Sequence, residues 1–100
     1  MTIYSTVLIY EKIDDKNVSF DSTGSPILES ELLNLRDNGI MDKDQLCAEV
    51  TYLQTATGDC DYILLMRSDN VESLMQAINV IRKIPQVQNT DTHVGQEIKN

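Results

Sequence analysis

The hydrophobic residues near the start of the chain alternate with the two-residue period of a β-strand. Residues 6–13 are apolar on both alternating faces, one formed by Val7, Ile9 and Ile13 and the other by Leu8 and Tyr10. Because successive side chains of a strand point to opposite faces, this run predicts a strand with two apolar faces. Residues 14–17 are typical of a turn, and residues 18–20 are compatible with a short returning strand.

The next apolar residues follow a helical period. Ser25 and Pro26 predict the helix start, because the Ser hydroxyl accepts a free backbone N–H and Pro needs no donor at the first helical position. The apolar stripe consists of Ile27, Leu28, Leu32 and Leu35. Asn38 and Gly39 predict the helix end, since both residues tolerate the left-handed conformation that terminates helices. Residues 40–47 fit either a helical turn or a surface connection.

A β-hairpin is predicted in the middle of the chain. Residues 49–57 are rich in β-branched and aromatic residues, Gly58 and Asp59 are typical of a turn, and residues 61–67 are again strand-like. The second strand has two apolar faces, one with Tyr62, Leu64 and Met66 and the other with Ile63 and Leu65.

A second helix and a last strand complete the pattern. Asp69 is predicted as the N-cap, with Glu72 three residues later completing a capping box. The apolar residues at helical spacing are Val71, Leu74, Ile78 and Ile81. Pro85 ends the helix, and residues 87–98 predict a polar final strand.

The order of elements is βαββαβ, which predicts an α+β, ferredoxin-like domain over residues 1–100. Its four-stranded antiparallel sheet has both helices on one face, and its first and third strands are central. The two helices leave the second apolar face uncovered, whereas a face in water normally carries polar residues. We therefore expect a second copy to cover that face, which gives a dimeric α/β sandwich.

Composition and charge argue against several classes of function. Sixteen acidic and eight basic residues give a net charge of −8, so we expect neither direct nucleic-acid binding nor binding to a membrane surface. Cys47 and Cys60 form no CxxC motif, and His93 has no ligand partners nearby, so we expect no metal, no cofactor and a reduced, cytoplasmic protein. No apolar run approaches the roughly 18 residues of a membrane span.

Two segments carry a family resemblance. Residues 56–67, Ala-Thr-Gly-Asp-Cys-Asp-Tyr-Ile-Leu-Leu-Met-Arg, resemble the Thr-Gly-Asp-aromatic-Asp-Tyr-Leu-Leu hairpin of the leucine-responsive regulator/AsnC (Lrp/AsnC) effector domain, or RAM domain. Residues 84–94 resemble that family's Leu-Pro-Gly-Val turn and the Thr-x-Thr strand after it. The specific similarity covers residues 50–97, about half of the chain.

The resemblance implies a homodimer or higher oligomer that binds an amino acid or related metabolite. The ligand-binding residues it implies are Thr57, Gly58, Asp59, Cys60, Asp61, Thr90 and Thr92. Asp59 and Asp61 would accept hydrogen bonds from the ligand ammonium, the threonines would donate to its carboxylate, and Gly58 would let the backbone approach closely.

Three departures from the family pattern affect this interpretation. Full-length members carry a helix-turn-helix before this domain, whereas strand one begins near Met1, so we expect DNA recognition to come from a partner, such as a DNA-binding family relative, or to be absent. The Pro that usually ends the first helix is absent, and Cys60 replaces an aromatic or small residue.

Other interpretations of the same residues stay open. Gly58 and Asp59 are also typical of an ordinary turn, and Thr90 and Thr92 of an ordinary strand with His93 on its opposite face. At the level of function, the alternatives are a small dimeric ferredoxin-like enzyme, monooxygenase- or isomerase-like, and a purely structural interaction module. The sequence supplies no nucleophile beside a base, so we expect no enzyme and no catalytic residues.

Overall fold

The computed structural model describes residues 2–12 and 27–95. The strands are β1 (Ile3–Glu11), β2 (Ile40–Asp42), β3 (Gln45–Thr55), β4 (Tyr62–Ser68) and β5 (Val87–Gly95), and the helices are α1 (Ile27–Asn38) and α2 (Val71–Arg82). The turn and short strand expected between residues 14 and 20 lie outside the described residues, as do Ile13, Ser25 and Pro26.

All neighbouring strands of the sheet are antiparallel, in the order β2-β3-β4-β1-β5. The predicted ferredoxin-like fold is confirmed, with the first strand β1 and the third predicted strand, now β4, at the centre. The expected number of four strands is wrong, because the described residues include the additional edge strand β2.

The extra strand comes from the segment that the sequence pattern left undecided. Ile40–Asp42 and the start of β3 form a hairpin in which Asp42 pairs with Gln45. The two turn residues both have positive φ, 50° at Lys43 and 66° at Asp44, which matches the type I′ geometry that joins two strands directly. Neither a helical turn nor a plain connection forms here.

The predicted end of α1 is confirmed, whereas the start of α2 is shifted by one residue. Gly39 ends α1 with a φ of +81°, as predicted, and its N–H donates to Leu35 O at 2.8 Å. The predicted N-cap of α2, Asp69, is wrong by one residue. Asn70 is the N-cap, and its side chain accepts from Ser73 N at 2.8 Å.

The core lies between the sheet and the two helices. Helix residues Leu28, Leu32, Leu74, Ala77, Ile78 and Ile81 and sheet residues Val7, Ile9, Tyr62, Leu64 and Met66 are buried in one cluster. Val71 does not join its predicted stripe, because it is 62% exposed. Among residues 2–12 and 27–95, no helix is long and apolar enough to cross a membrane.

The opposite face of the sheet, which we call the outer face, is also apolar at its centre. It carries Thr6, Leu8, Tyr10, Tyr52, Ile63 and Leu65. Leu8, Ile63 and Leu65 are half-buried only, and Tyr52 is 51% exposed. The predicted sheet with two apolar faces is therefore confirmed, and no described helix covers the second face.

The burial pattern predicts where truncation destabilises the fold. Leu64→Ala removes a side chain that is 0% exposed at the centre of the sheet, so we expect a loss of about 2–5 kcal/mol in the free energy of unfolding. Val71→Ala is the matched control, and we expect a change within about 0.5 kcal/mol. Urea denaturation followed by circular dichroism measures both; equal effects would contradict the assigned core.

Candidate functional site

The loop between β3 and β4 is hydrogen-bonded to the end of β1. Ala56 N–H donates to Asp61 O at 2.9 Å, and Asp61 N–H donates to Ile9 O at 2.9 Å. The Asp61 carboxylate accepts from Glu11 N at 2.7 Å through Oδ2. Asp61 thus anchors the base of the loop to the end of β1. Its place in a turn predicts hydrogen bonds to the local backbone, but not the bonds to Ile9 and Glu11.

The tip of this loop is open to solvent. Thr57, Gly58 and Asp59 are exposed, and Cys60 is half-buried. Gly58 has a φ of +107°, and a Cβ at this position would meet no atom within 4 Å. The backbone at Gly58 is therefore accessible to a small molecule, and only glycine adopts this conformation at low cost.

Tyr10, which the sequence did not single out for the site, lies on the outer face within reach of the charges of Asp91 on β5 and of Cys60 and Asp59 in the loop. Burial raises the pKa of Tyr10 above its ordinary value, and the nearby carboxylate of Asp91 raises that pKa further. Cys60 and Asp59 act in the same direction. At this end of the outer face, Tyr10 therefore lies in a negative electrostatic environment.

The two candidate threonines lie on the helix-facing side of β5. Thr90 pairs with Ile9 and Thr92 pairs with Val7, and directly paired residues share a face. Thr90 is 6% exposed, and its Oγ1 accepts a hydrogen bond from Arg82 Nε at 3.0 Å. As predicted, Thr90 and Thr92 share one face and His93 lies on the other.

The loop and Thr90 lie at the same end of the sheet. Tyr62 pairs with Ile9, and Ile9 pairs with Thr90, so Tyr62 and Thr90 are two strand spacings, about 10 Å, apart. However, Asp59 and Cys60 act electrostatically on Tyr10, which lies on the outer face, whereas Thr90 bonds to Arg82 at the end of α2. The seven candidate residues therefore form two groups, one in the loop and one on the helix-facing side of β5.

Acidic groups dominate this end of the sheet. Burial raises the pKa of Glu11, and the neighbouring Asp61 raises it further. The pKa of Tyr62 is raised to about 12, first by burial and then by Glu11, Glu29 and Asp61. Such surroundings favour a cationic group. Within the described ranges, no cluster of three or more His, Cys, Asp or Glu residues could hold a metal ion.

A depression of about 530 Å³ lies at the opposite end of the outer face. Its outer-face lining includes Tyr4, Thr6, Leu65, His93 and Gly95. None of the seven candidate residues lines it, so it is separate from the predicted ligand site.

Comparison with known families adds a decisive observation. Residues 41–98, more than half of the chain, match the model of the Lrp/AsnC ligand binding domain. The chain belongs to this family. The resemblance inferred from the hairpin and the Thr-x-Thr strand is thereby confirmed, and the match includes every candidate site residue of this Lrp/AsnC domain.

Solved structures agree on the fold. A hypothetical protein from Pyrococcus horikoshii aligns with a TM-score of 0.64 at 18% identity, covering 96% of this chain and 92% of that one. AsnC of E. coli aligns with a TM-score of 0.62 at 18% identity, covering 96% of this chain but 52% of AsnC. A Dabb family protein with a ferredoxin-like fold from Mesorhizobium loti aligns at 0.50 and 12% identity, covering 98% of each chain. No curated protein sequence matches this domain.

The raised pKa of Glu11 predicts a pH-dependent stability. As pH rises past about 4.5, the unfolded chain ionises Glu11 more readily than the folded chain, so the free energy of unfolding falls. Glu11→Gln removes this titration. We therefore expect the difference in the free energy of unfolding between Glu11→Gln and wild type to favour the variant more at pH 7 than at pH 4.

Urea denaturation at both pH values measures this difference. Glu31→Gln, an exposed position on α1, is the matched control and should show a smaller change with pH. A Glu11→Gln effect that is the same at pH 4 and pH 7 would contradict the assigned environment of Glu11.

Proposed function

We propose that this Lrp/AsnC domain binds an amino acid or a closely related metabolite and changes its assembly in response. The observation that supports this most is the match over residues 41–98 to a ligand binding domain, because it spans the loop at Gly58 and the strand with Thr90 and Thr92. We further propose that the binding signal reaches transcription through a DNA-binding relative.

The loop offers chemistry that suits a ligand ammonium group. Asp59 is an exposed carboxylate, and Asp61 uses Oδ2 for Glu11 N–H, which leaves Oδ1 to accept another hydrogen bond. Hydrogen bonds between ionised groups are roughly twice as strong as neutral ones. In this proposal Asp59 is the principal ammonium acceptor and Asp61 supports it from the base of the loop.

The ligand carboxylate needs donors, and the backbone and hydroxyl groups supply them. Gly58 presents an open backbone, and Thr57 is exposed beside it. Thr92 is half-buried on β5, whereas Thr90 already accepts from Arg82 and retains only its own proton to donate. We therefore assign Thr57, in the loop with Asp59, the direct part. Thr90 fixes β5 against α2, and Thr92 shares the helix-facing side of β5 with Thr90, apart from the loop tip.

Self-association through the outer face completes the proposal. Leu8, Ile63 and Leu65 lie on a face that no described element covers, and a second copy packed sheet on sheet would bury them. The net charge of −8 disfavours direct contact with nucleic acid, so a DNA-binding relative carries that role in the proposal.

Isothermal titration calorimetry against the twenty amino acids and close metabolites tests the sensor role. We expect a ligand to be found, and Asp59→Asn to weaken its binding by about 10-fold to 100-fold, because a charge-assisted hydrogen bond contributes about 1.5–3 kcal/mol. Asp69→Asn, an exposed position at the other end of β4, is the matched control and should bind as wild type does.

Two results would contradict the assignment. Binding of none of these compounds at millimolar concentration would remove the sensor role. Equal affinity of wild type and Asp59→Asn would show that the loop does not hold the ammonium group.

A further inference from the structure

The connection between α1 and β2 contains the single Asn-Gly dipeptide of the chain, Asn38-Gly39. Asn38 is the last residue of α1 and is exposed, and Gly39 leads into β2. The fold requires glycine at position 39, because its φ is +81° and a Cβ there would lie 2.6 Å from Leu46 Cδ1. Any residue with a side chain would be strained at this position.

An Asn-Gly dipeptide is chemically reactive because glycine has no side chain that shields its backbone nitrogen. The glycine N–H loses its proton to hydroxide, and the nitrogen attacks Cγ of the asparagine side chain. The new N–Cγ bond closes a succinimide ring, and the bond from Cγ to Nδ2 breaks as ammonia leaves with a proton taken from water. Water then opens the ring at either of its carbonyl groups, which gives aspartate or isoaspartate.

In the folded domain, two sets of hydrogen bonds oppose this reaction. Gly39 N–H donates to Leu35 O at 2.8 Å, so the nucleophilic nitrogen keeps its proton in a bond at the helix end. The Asn38 amide donates through Nδ2 to Asn34 O at 3.2 Å and to Asn34 Oδ1 at 2.6 Å. Both reacting groups are therefore held by the preceding turn of α1 and not by each other.

The helical backbone of Asn38 adds a conformational barrier. The succinimide ring needs Cβ of Asn38 and the nitrogen of Gly39 to be nearly eclipsed about the Cα–C bond. An α-helical ψ of about −42° keeps these two atoms well apart. Ring closure therefore requires a rotation that breaks the last turn of α1.

Opening of this turn is a local event. Helix ends open at free-energy costs far below that of global unfolding. Asn34 and Asn38 are exposed, whereas Leu35 is half-buried against the core and Leu28 and Leu32 lie within it. The bonds that protect Asn38 can therefore break while the first part of α1 stays packed.

We propose that Asn38 is a deamidation site that the last turn of α1 gates. The amide reacts slowly in the folded domain, and opening of the turn exposes the Gly39 nitrogen to base. Both products carry a new carboxylate next to Asp37, and isoaspartate also lengthens the backbone between α1 and β2. This modification site is independent of the ligand in the proposed function.

The modification changes the junction in a definite direction. A negative charge in the last turn of a helix opposes the helix dipole. Directly after the junction, Ile40 is fully buried and pairs with Ala48 on β3. A longer backbone before Ile40 displaces that pairing, so we expect the modified domain to unfold at a lower urea concentration than the unmodified domain.

Mass spectrometry of peptides from the full chain, aged at neutral pH with and without guanidinium chloride, tests the proposal. We expect Asn38 to deamidate about tenfold or more faster in denaturant, because the folded turn must open before the amide reacts. Asn34→Val removes the side-chain acceptor of that amide at similar helix propensity, so it should raise the rate in the folded domain several-fold. Circular dichroism verifies that this variant is folded.

The controls come from the same chain. Asn79 is exposed on α2 and precedes the β-branched Val80, which shields the attacking nitrogen, so its amide should persist in both solvents. Glu31→Gln, at another exposed position of α1, is the matched control for Asn34→Val and should react as wild type does. Asn38→Gln should remove the signal, because the longer side chain closes a ring far less readily.

Three results would contradict the proposal. Equal rates in buffer and in guanidinium chloride would overturn the gate. An Asn38 amide that persists in denaturant as long as that of Asn79 would overturn the site itself. A rate for Asn34→Val equal to that of wild type would overturn the part assigned to the Asn34 side chain. Ligand binding at the loop is measured separately by calorimetry, so its failure leaves this inference in place.

Discussion

An antiparallel sheet with apolar side chains on both faces needs cover on both faces. Here α1 and α2 cover one face, and the centre of the other carries Leu8, Ile63 and Leu65. Full burial of one such side chain stabilises a protein by about 1.5–3 kcal/mol, which is large beside the 5–15 kcal/mol that holds a typical domain folded. How the outer face is covered therefore determines both the stability of this Lrp/AsnC domain and its assembly.

The outer face is also connected with the candidate loop at Gly58. Asp61 is hydrogen-bonded to both Ile9 and Glu11, the two neighbours of Tyr10 on β1. A ligand that shifts the loop would therefore act on the part of β1 that carries Tyr10 on the outer face. In the proposed function, this short physical path is how ligand binding changes self-association, since a ligand shifts an equilibrium only through contacts that differ between its states.

The sequence predicted the fold well where a pattern was local and repeated. Alternation along β1 and β4 identified both apolar faces, and the left-handed Gly39 ended α1 as expected. It failed where the local signal was absent or was shared by neighbouring residues. The β2 hairpin turns at Lys43 and Asp44, which lack the usual Asn-Gly signal, and α2 is capped by Asn70 although Asp69 fits the capping box.

The candidate site was harder to predict than the fold. The motif located the loop and the Thr-x-Thr strand, but only the three-dimensional structure shows that Thr90 accepts a hydrogen bond from Arg82 and that Asp59 acts electrostatically on Tyr10. Such contacts join residues far apart in the chain. No local spacing reports them, because they depend on how the helix and the loop pack against the sheet.

The dependence of unfolding on protein concentration tests the central claim most directly. If a second copy covers the outer face, folding and association are coupled, and the urea midpoint should rise as protein concentration increases. A midpoint that stays constant over a hundredfold range of concentration, together with a monomeric mass throughout, would contradict the account.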